Sequence, residues 1–592
     1  MRRPETIIRF SINKVRKYTD KYFLLILSLF VGIISGLTAL LLKSGVFYLR
    51  GLLIKDTEFN VNNIILLLYP AVGIVLTVIF LKYIIKRNDK HDIPSILYSI
   101  SKKNSRLAKH KSFSSITAGL LTAGFGGSIG LESPIISSGS SIGSYIGRYL
   151  RMNYKNTTIL LACGAAGAIA AIFNTPIAGV VFAVEVLLID LTGFTLIPLL
   201  ISSVSGAVIT KAFYPDAILF NFNIEESFTF TDIPFYIFLG FTAGLIAVYF
   251  NKIYLFVLKK FELFKKKRYK IIIGAVSLGV MIFIFPALFG EGFDTIKILL
   301  EGDFHDLIDN TIFHEYKRTT IVIILFFLFL IFIKAIAVGT TIGAGGVGGI
   351  FAPSLFTGAV SGFLFAFVVN SLDVGIYISE RNFALVGMAA MLGGVIHAPL
   401  TGIFLIAEVT SGYELIVPLM IATTISYLTV KAFSWDSVFT KKLSARGELI
   451  THHKDKAVLT FMQLGSVTEK NFSIVNPEMT LGDLTKVISG SNRNVFPVLN
   501  SVKELEGIIS LDDIREIMFD TESYDKVKVY DLMILPPSVI NFDESMNTVI
   551  SKFRDTGAWN LPVVKNNKYV GFVSKSKMFE VYRKHLIDIS DD

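Results

Sequence analysis

The chain predicts an all-α, multi-pass membrane protein built from an inverted repeat of tilted and broken helices, followed by a smaller soluble α+β module. Three observations predict it. An apolar segment occurs twice. ACGAAGAIAAIFNTPIAGVVFAVEV from Ala162 aligns without a gap with LVGMAAMLGGVIHAPLTGIFLIAEV from Leu385, which sets Gly164 on Gly387, Pro176 on Pro399, Gly179 on Gly402 and Glu185 on Glu408. A mean hydropathy of +0.60 with 18% charged residues departs from soluble chains of this length. After Leu443 the chain turns polar, with short β-branched runs. Apolar helices interrupted by Gly and Pro at matching places in two halves point to a transport protein with its ion site at the repeat interface.

Residues 1–20 read as a basic segment. Arg2, Arg3, Arg9, Lys14, Arg16, Lys17 and Lys21 precede the first span, so the positive-inside rule puts the N-terminus in the cytoplasm of a plasma (inner) membrane, with the C-terminal module on the same side. The basic loop from Lys259 to Arg268 is assigned inside by the same rule. With the basic residues in loops beside apolar helices, the net charge of +10 is a membrane signal and not one for nucleic acid. The first apolar run is too long for a signal peptide and lacks a small-residue cleavage site. Residues 21–444 form the membrane domain. Tyr22–Leu42 and Thr320–Val338, the latter broken only by Lys334, come near the roughly 20 residues that cross a bilayer. Others are shorter, among them Ile116–Ala123, Ile135–Tyr149 and Pro353–Val369. Non-helical backbone at membrane depth must be buried in protein or line an aqueous cavity, so these breaks mark a pathway.

A linker (445–455) leads to two soluble halves, 456–525 and 526–592. NVFPVLNSVKELEGIISLDDIREIM from Asn494 matches WNLPVVKNNKYVGFVSKSKMFEVY from Trp559, each strand, turn, strand and helix, and each follows a predicted helix, Leu481–Ile488 or Met546–Phe553. The one cysteine, Cys163, excludes an intrachain disulfide and reads as a small packing residue. No HExxH, GxSxG or P-loop pattern suggests an enzyme, and no Cys/His spacing suggests a metal.

The chemistry concentrates upstream of the repeated segments. Gly130-Leu131-Glu132-Ser133-Pro134 and Gly349-Ile350-Phe351-Ala352-Pro353 each start a helix, with proline in the first turn, where its missing N–H costs nothing. A helix N-terminus offers unpaired N–H groups and a positive dipole end, which attract an anion. Two such termini converging from inverted repeats would hold a small anion through the main chain. Glu132 can occupy that seat when charged and leave it when protonated, a gate made from the ligand's own chemistry. In isolation the same glutamate would be a helix cap; the second repeat is what favours the gate.

GLESP resembles the GREGP motif of the CLC family of chloride channels and anion/proton exchangers, GGIFAP its GxFxP motif, FNTPIAGVVFAVE its following helix and SVFTKKL the end of its membrane domain. The resemblance covers essentially the whole chain, and the tail resembles a tandem pair of CBS domains. It implies the CLC-type inverted repeat, a homodimer with one anion pathway per subunit, Glu132 as the gating glutamate, and an anion-binding set of Gly130, Gly349, Ile350, Phe351, His91 and Phe439. It requires no cofactor. For the tail it implies an adenine nucleotide (ATP, ADP or AMP) held by Ser510 and Asp513; the second copy has Lys577 at the aspartate position. A dimerising module without ligand is the other reading of the tail.

Three departures from the family pattern bear on function. Lys90-His91-Asp92-Ile93-Pro94 stands where the family has GSGIP, so His91 replaces an anion-contacting serine; either its ring donates to the anion or it points away and amides suffice. Phe439 replaces a tyrosine whose hydroxyl touches the anion; either the inner path is less polar or the ring merely packs. Val186 follows Glu185 where exchangers carry an internal proton-transfer glutamate, and valine holds no proton. The sequence thus favours a chloride channel over a proton-coupled exchanger, its alternative. Glu185 and Glu408 read as packed, hydrogen-bonded structural carboxylates, and His397 as helix-end packing.

Overall fold

The protein is described by a computed structural model covering residues 20–54, 65–213 except 88, 229–444 except 310, 373, 374, 376 and 411, and 462 and 464–590. The expected basic N-terminal segment, residue 20 apart, and the 445–455 linker lie outside the described residues. The chain separates into two units, Met1–Leu449 and Ile450–Asp592.

Among the described residues of the first unit, eight helices are long and apolar enough to cross a membrane. The first, α1 (Asp20–Ile54), has 35 residues, about 50 Å of helix against a hydrocarbon core of about 30 Å, so it crosses tilted. It is followed by α2 (Ile65–Ile79), α3 (Ile93–Lys102) and α4 (Lys111–Gly124). The first repeat then runs α5 (Glu132–Tyr149), α6 (Tyr154–Phe173), α7 (Pro176–Glu185) and α8 (Gly193–Phe213). Between the repeats lie α9 (Ile233–Leu263), α10 (Lys267–Ile284), α11 (Phe293–Glu301) and α12 (Thr320–Ala344). The second repeat follows as α13 (Phe351–Ser371), α14 (Glu380–Ile396), α15 (Pro399–Val409) and α16 (Ile416–Phe433).

The sequence dictates the repeat's breaks locally. α6 and α14 both end on a left-handed residue, Asn174 (φ 58°) and His397 (φ 62°), which occupy the same repeat position. Two residues later Pro176 and Pro399 open α7 and α15, where no helical N–H is lost. His397 is therefore a helix end, with its ring edge-on to Tyr427 at 5.7 Å. Glycines set the helix crossings. A Cβ at Gly139 or Gly164 would run into the other's carbonyl, and Gly358 and Gly387 stand in the same relation. Such close backbone approach between membrane helices needs residues without side chains.

The half-helices α7 and α15 pack together, and each repeat caps the other. Glu185 at the end of α7 accepts hydrogen bonds from the N–H groups of Leu400 (2.9 Å) and Thr401 (2.8 Å) at the start of α15, and from the Thr401 hydroxyl (2.7 Å). Glu408 on α15 accepts from Ile177 and Ala178, both 2.9 Å, at the start of α7. Matched carboxylates complement matched helix N-termini across the pseudo-two-fold.

The soluble unit holds a β-hairpin, β2 (Val495–Leu499) with β3 (Leu505–Ser510), and a four-stranded sheet in the order β1 (Thr468–Glu469), β6 (Lys568–Ser574), β5 (Asn560–Lys565), β4 (Ile540–Asn541). Helices α17 (Leu481–Ser489) and α18 (Met546–Thr556) precede the two hairpins, and α19 (Lys575–Ser590) follows the second. Both hairpins carry an irregularity at the same repeat position, after Val498 and after Val563. This is the strand–turn–strand duplication read from the sequence.

Candidate anion site

The starts of α5 and α13 meet. Gly130 and Gly349 form an isolated antiparallel bridge, with N–H to carbonyl distances of 3.0 and 2.8 Å. Neither position tolerates a side chain, because a Cβ on either glycine would overlap the Glu132 carboxylate. Glu132 is 1% exposed and reaches across the repeat boundary, where its Oε1 accepts from the Phe351 N–H at 2.7 Å. The carboxylate of the first repeat thus sits on the N-terminus of the second repeat's helix, where free N–H groups and the dipole favour an anion. The Phe351 ring leans on Phe173 (centroids 5.4 Å apart) and Phe182 (6.3 Å), which walls the seat with apolar surface. Ile350, 2% exposed, is the residue from which α13 starts.

The other expected residues each have their own local partners. Asp92 caps α3, accepting from the Ser95 N–H at 3.1 Å, which accounts for an aspartate there. His91 is buried, and its Nδ1 is 2.8 Å from the Ser115 hydroxyl; Ser115 in turn donates to Ser137 on α5 at 3.1 Å. His91 is therefore linked to α5 through two hydroxyls, with one ring nitrogen already engaged. Phe439 is buried in the turn that precedes Lys441. Val186, 5% exposed, ends α7 with its N–H on the Phe182 carbonyl at 2.9 Å, beside the Glu185 cap. In the soluble unit Ser510 and Asp513 bind each other as a capping box, the Ser510 N–H to Asp513 Oδ2 at 3.3 Å. Lys577 pairs with Glu580 at 3.0 Å.

Sequence reasoning missed Lys334. It is fully buried in α12, with its Nζ 3.0 Å from the Ser128 hydroxyl, 3.4 Å from the Gly290 carbonyl and 4.5 Å from the Phe356 ring centroid. It ties the loop before α5 to the 289–292 loop, which also meets it through the Gly290 N–H on the Gly126 carbonyl. A buried Oε1 of Glu291 on that second loop has no hydrogen-bond partner among the described residues. The available signal was a lone lysine in an otherwise apolar span, since an intramembrane charge is expensive and marks function.

A family model described as "Voltage gated chloride channel" matches residues 73–431, and a CBS domain model matches 464–520 and 529–584. The chain belongs to the CLC family. This CLC protein is 28% identical over 387 residues to a ClcB-like protein of Ralstonia nicotianae, covering 64% of this chain and 85% of that one. It is 29% identical over 316 residues to the H(+)/Cl(-) exchange transporter ClcA of Vibrio cholerae, covering 52% of this chain and 63% of that one. A solved slow cyanobacterial Cl-/H+ antiporter shares the fold, with a TM-score of 0.61 at 21% identity over 72% of this chain and 97% of that one. The chain is thus a multi-pass CLC membrane protein with a CBS pair.

Proposed function

We propose that this CLC protein exchanges a monovalent anion, chloride being the one named for its relative, for protons. The observation that carries the reading is the Glu132 carboxylate buried on the Phe351 N–H. Anion and carboxylate then compete for one seat. Protonation removes the charge that holds Glu132 there, and an arriving anion displaces it, so occupancy by proton and by anion is linked at a single side chain. The likeness to a named exchange transporter supports the same reading. This shifts the balance from the channel that the sequence favoured. Passive conduction remains the second reading, on one observation, namely that Val186, whose side chain holds no proton, follows Glu185 where exchangers of the family carry an internal proton-transfer glutamate.

The test is simultaneous anion and proton flux from purified protein in liposomes under a chloride gradient. Proton movement against its own gradient, in fixed ratio to chloride, is expected. Chloride flux with no uphill proton movement would establish passive conduction instead.

We further propose a homodimer. The half-helices α7 and α15 have 10 and 11 residues, about 15 Å each, too short to span the core. Their partly exposed Glu185 and Glu408 carboxylates would otherwise face lipid, flanked by exposed Ile177 and Leu400. A second copy laid over this face removes both costs. For the CBS pair we propose an adenine nucleotide at Ser510 and Asp513, which stand at the end of β3 where the first copy retains its serine and aspartate.

A further inference from the structure

A cavity of ≈ 440 Å³ lies where the turn after α3 meets the turn between α5 and α6, apart from the anion seat. Three arginines line it, Arg106, Arg148 and Arg151, together with Asn104 and Tyr154; no carboxylate does. Its wall is built by hydrogen bonds. Arg148 donates from Nη2 to the Leu107 carbonyl at 2.6 Å and from Nε to the Ser144 carbonyl at 3.3 Å. The Ser144 hydroxyl takes the Leu107 N–H (3.0 Å) and donates to the Ser105 carbonyl (2.6 Å), and the Tyr154 hydroxyl donates to the Ile100 carbonyl (3.0 Å). Ser105 and Ser144 are fully buried, so the 103–108 segment is fixed against α5. On this rigid wall the Arg106 guanidinium makes no hydrogen bond or ion pair among the described residues, and Nη1 of Arg148 is left over.

Arg106 and Arg151 are exposed at this cavity and Arg148 is half-buried, and a cavity lined by three guanidiniums and no carboxylate is matched to a bound anion of comparable size. Guanidinium forks fit the paired oxygens of a phosphate. The basic loops assign this face to the inside of the membrane, where anionic phospholipids concentrate and basic pockets between helices hold their headgroups. The volume suits a phosphodiester headgroup and far exceeds a halide.

We propose that this cavity is a phosphate-group site, separate from the transport path, that takes a phosphate monoester or diester from the inner side.

The thermal midpoint of the full-length, detergent-purified protein tests this. It is titrated with short-chain phosphatidylglycerol, with phosphatidylcholine and with inorganic phosphate, in the wild type, Arg106→Gln, Arg151→Gln and, as a charge control away from the cavity, Lys266→Gln. Saturable stabilisation by phosphatidylglycerol is expected, with the half-effect concentration raised about fivefold in each arginine variant and unchanged in Lys266→Gln. If inorganic phosphate alone reproduces the shift with the same arginine dependence, the source is a soluble phosphate. If phosphatidylglycerol acts and phosphate does not, the source is lipid. A wild type that responds to neither, or a response that Arg106→Gln and Arg151→Gln retain in full, overturns the proposal. A variant that fails to fold in one position leaves the other to decide, since the Arg106 guanidinium makes no hydrogen bond or ion pair among the described residues.

Discussion

Glu132 does two things that a helix cap would not. It leaves its own helix to accept the Phe351 N–H of the other repeat, and it is buried while doing so. Glutamine keeps its shape and loses the charge that competes with the anion. For Glu132→Gln we therefore expect anion flux that persists with a flattened pH dependence, proton flux at the background of empty liposomes, and a thermal midpoint near that of the wild type. Retained proton coupling would remove Glu132 from the gate. This residue was legible from GLESP beside GIFAP, because glycine, carboxylate and proline in that order describe a helix start with a built-in anion. His91 was legible only as a position. That its Nδ1 is engaged by Ser115 depends on α4 passing beside it, which no local pattern encodes. Lys334 was visible as an oddity, but its partners Ser128 and Gly290 are distant in sequence and belong to separate loops.

At the scale of elements, the paired half-helices depend on carboxylates supplied from outside. Removing Glu185 or Glu408 leaves two N–H groups of the opposite helix unmet, at about 1–3 kcal/mol for each variant. Glu185→Ala is expected to be the more damaging, because the Thr401 hydroxyl also loses its acceptor, whereas the matching Ala178 has none to lose. Gly387→Ala forces a methyl onto the Gly358 carbonyl and is expected to cost about 1–3 kcal/mol through overpacking. Thermal unfolding in detergent checks all three, and a Gly387→Ala midpoint equal to wild type would refute the crossing. The repeat alignment already placed Glu185 on Glu408 and Gly164 on Gly387. It could not show that each glutamate serves the other copy, since an alignment matches equivalent residues and the contact joins inequivalent ones.

At the scale of the whole molecule, each unit has apolar clusters of its own among the described residues. The apolar cluster of the membrane unit ends at Leu443, and the clusters of the soluble unit begin at Met462 and Val475. A chain ending at Leu449 is expected to keep the membrane fold and its anion flux while losing any response to adenine nucleotide. Loss of flux on truncation, with the protein still folded, would make the CBS pair part of the transport machinery. The division was legible because composition changes at the boundary. The cavity beside Arg148 was not, since its arginines come from the turn after α3 and from the end of α5 with the turn that follows it, which meet only after folding. The Gly130–Gly349 bridge has a consequence for how cargo crosses. Together with the exchanged glutamates at the half-helices it stitches one half of the membrane unit to the other, and the bridge itself lies at the proposed anion seat. A transporter that swings its halves like a seesaw would have to tear those stitches on every cycle. On the proposed reading the frame stays still and one side chain turns, so a covalent staple between the halves should leave the turnstile running.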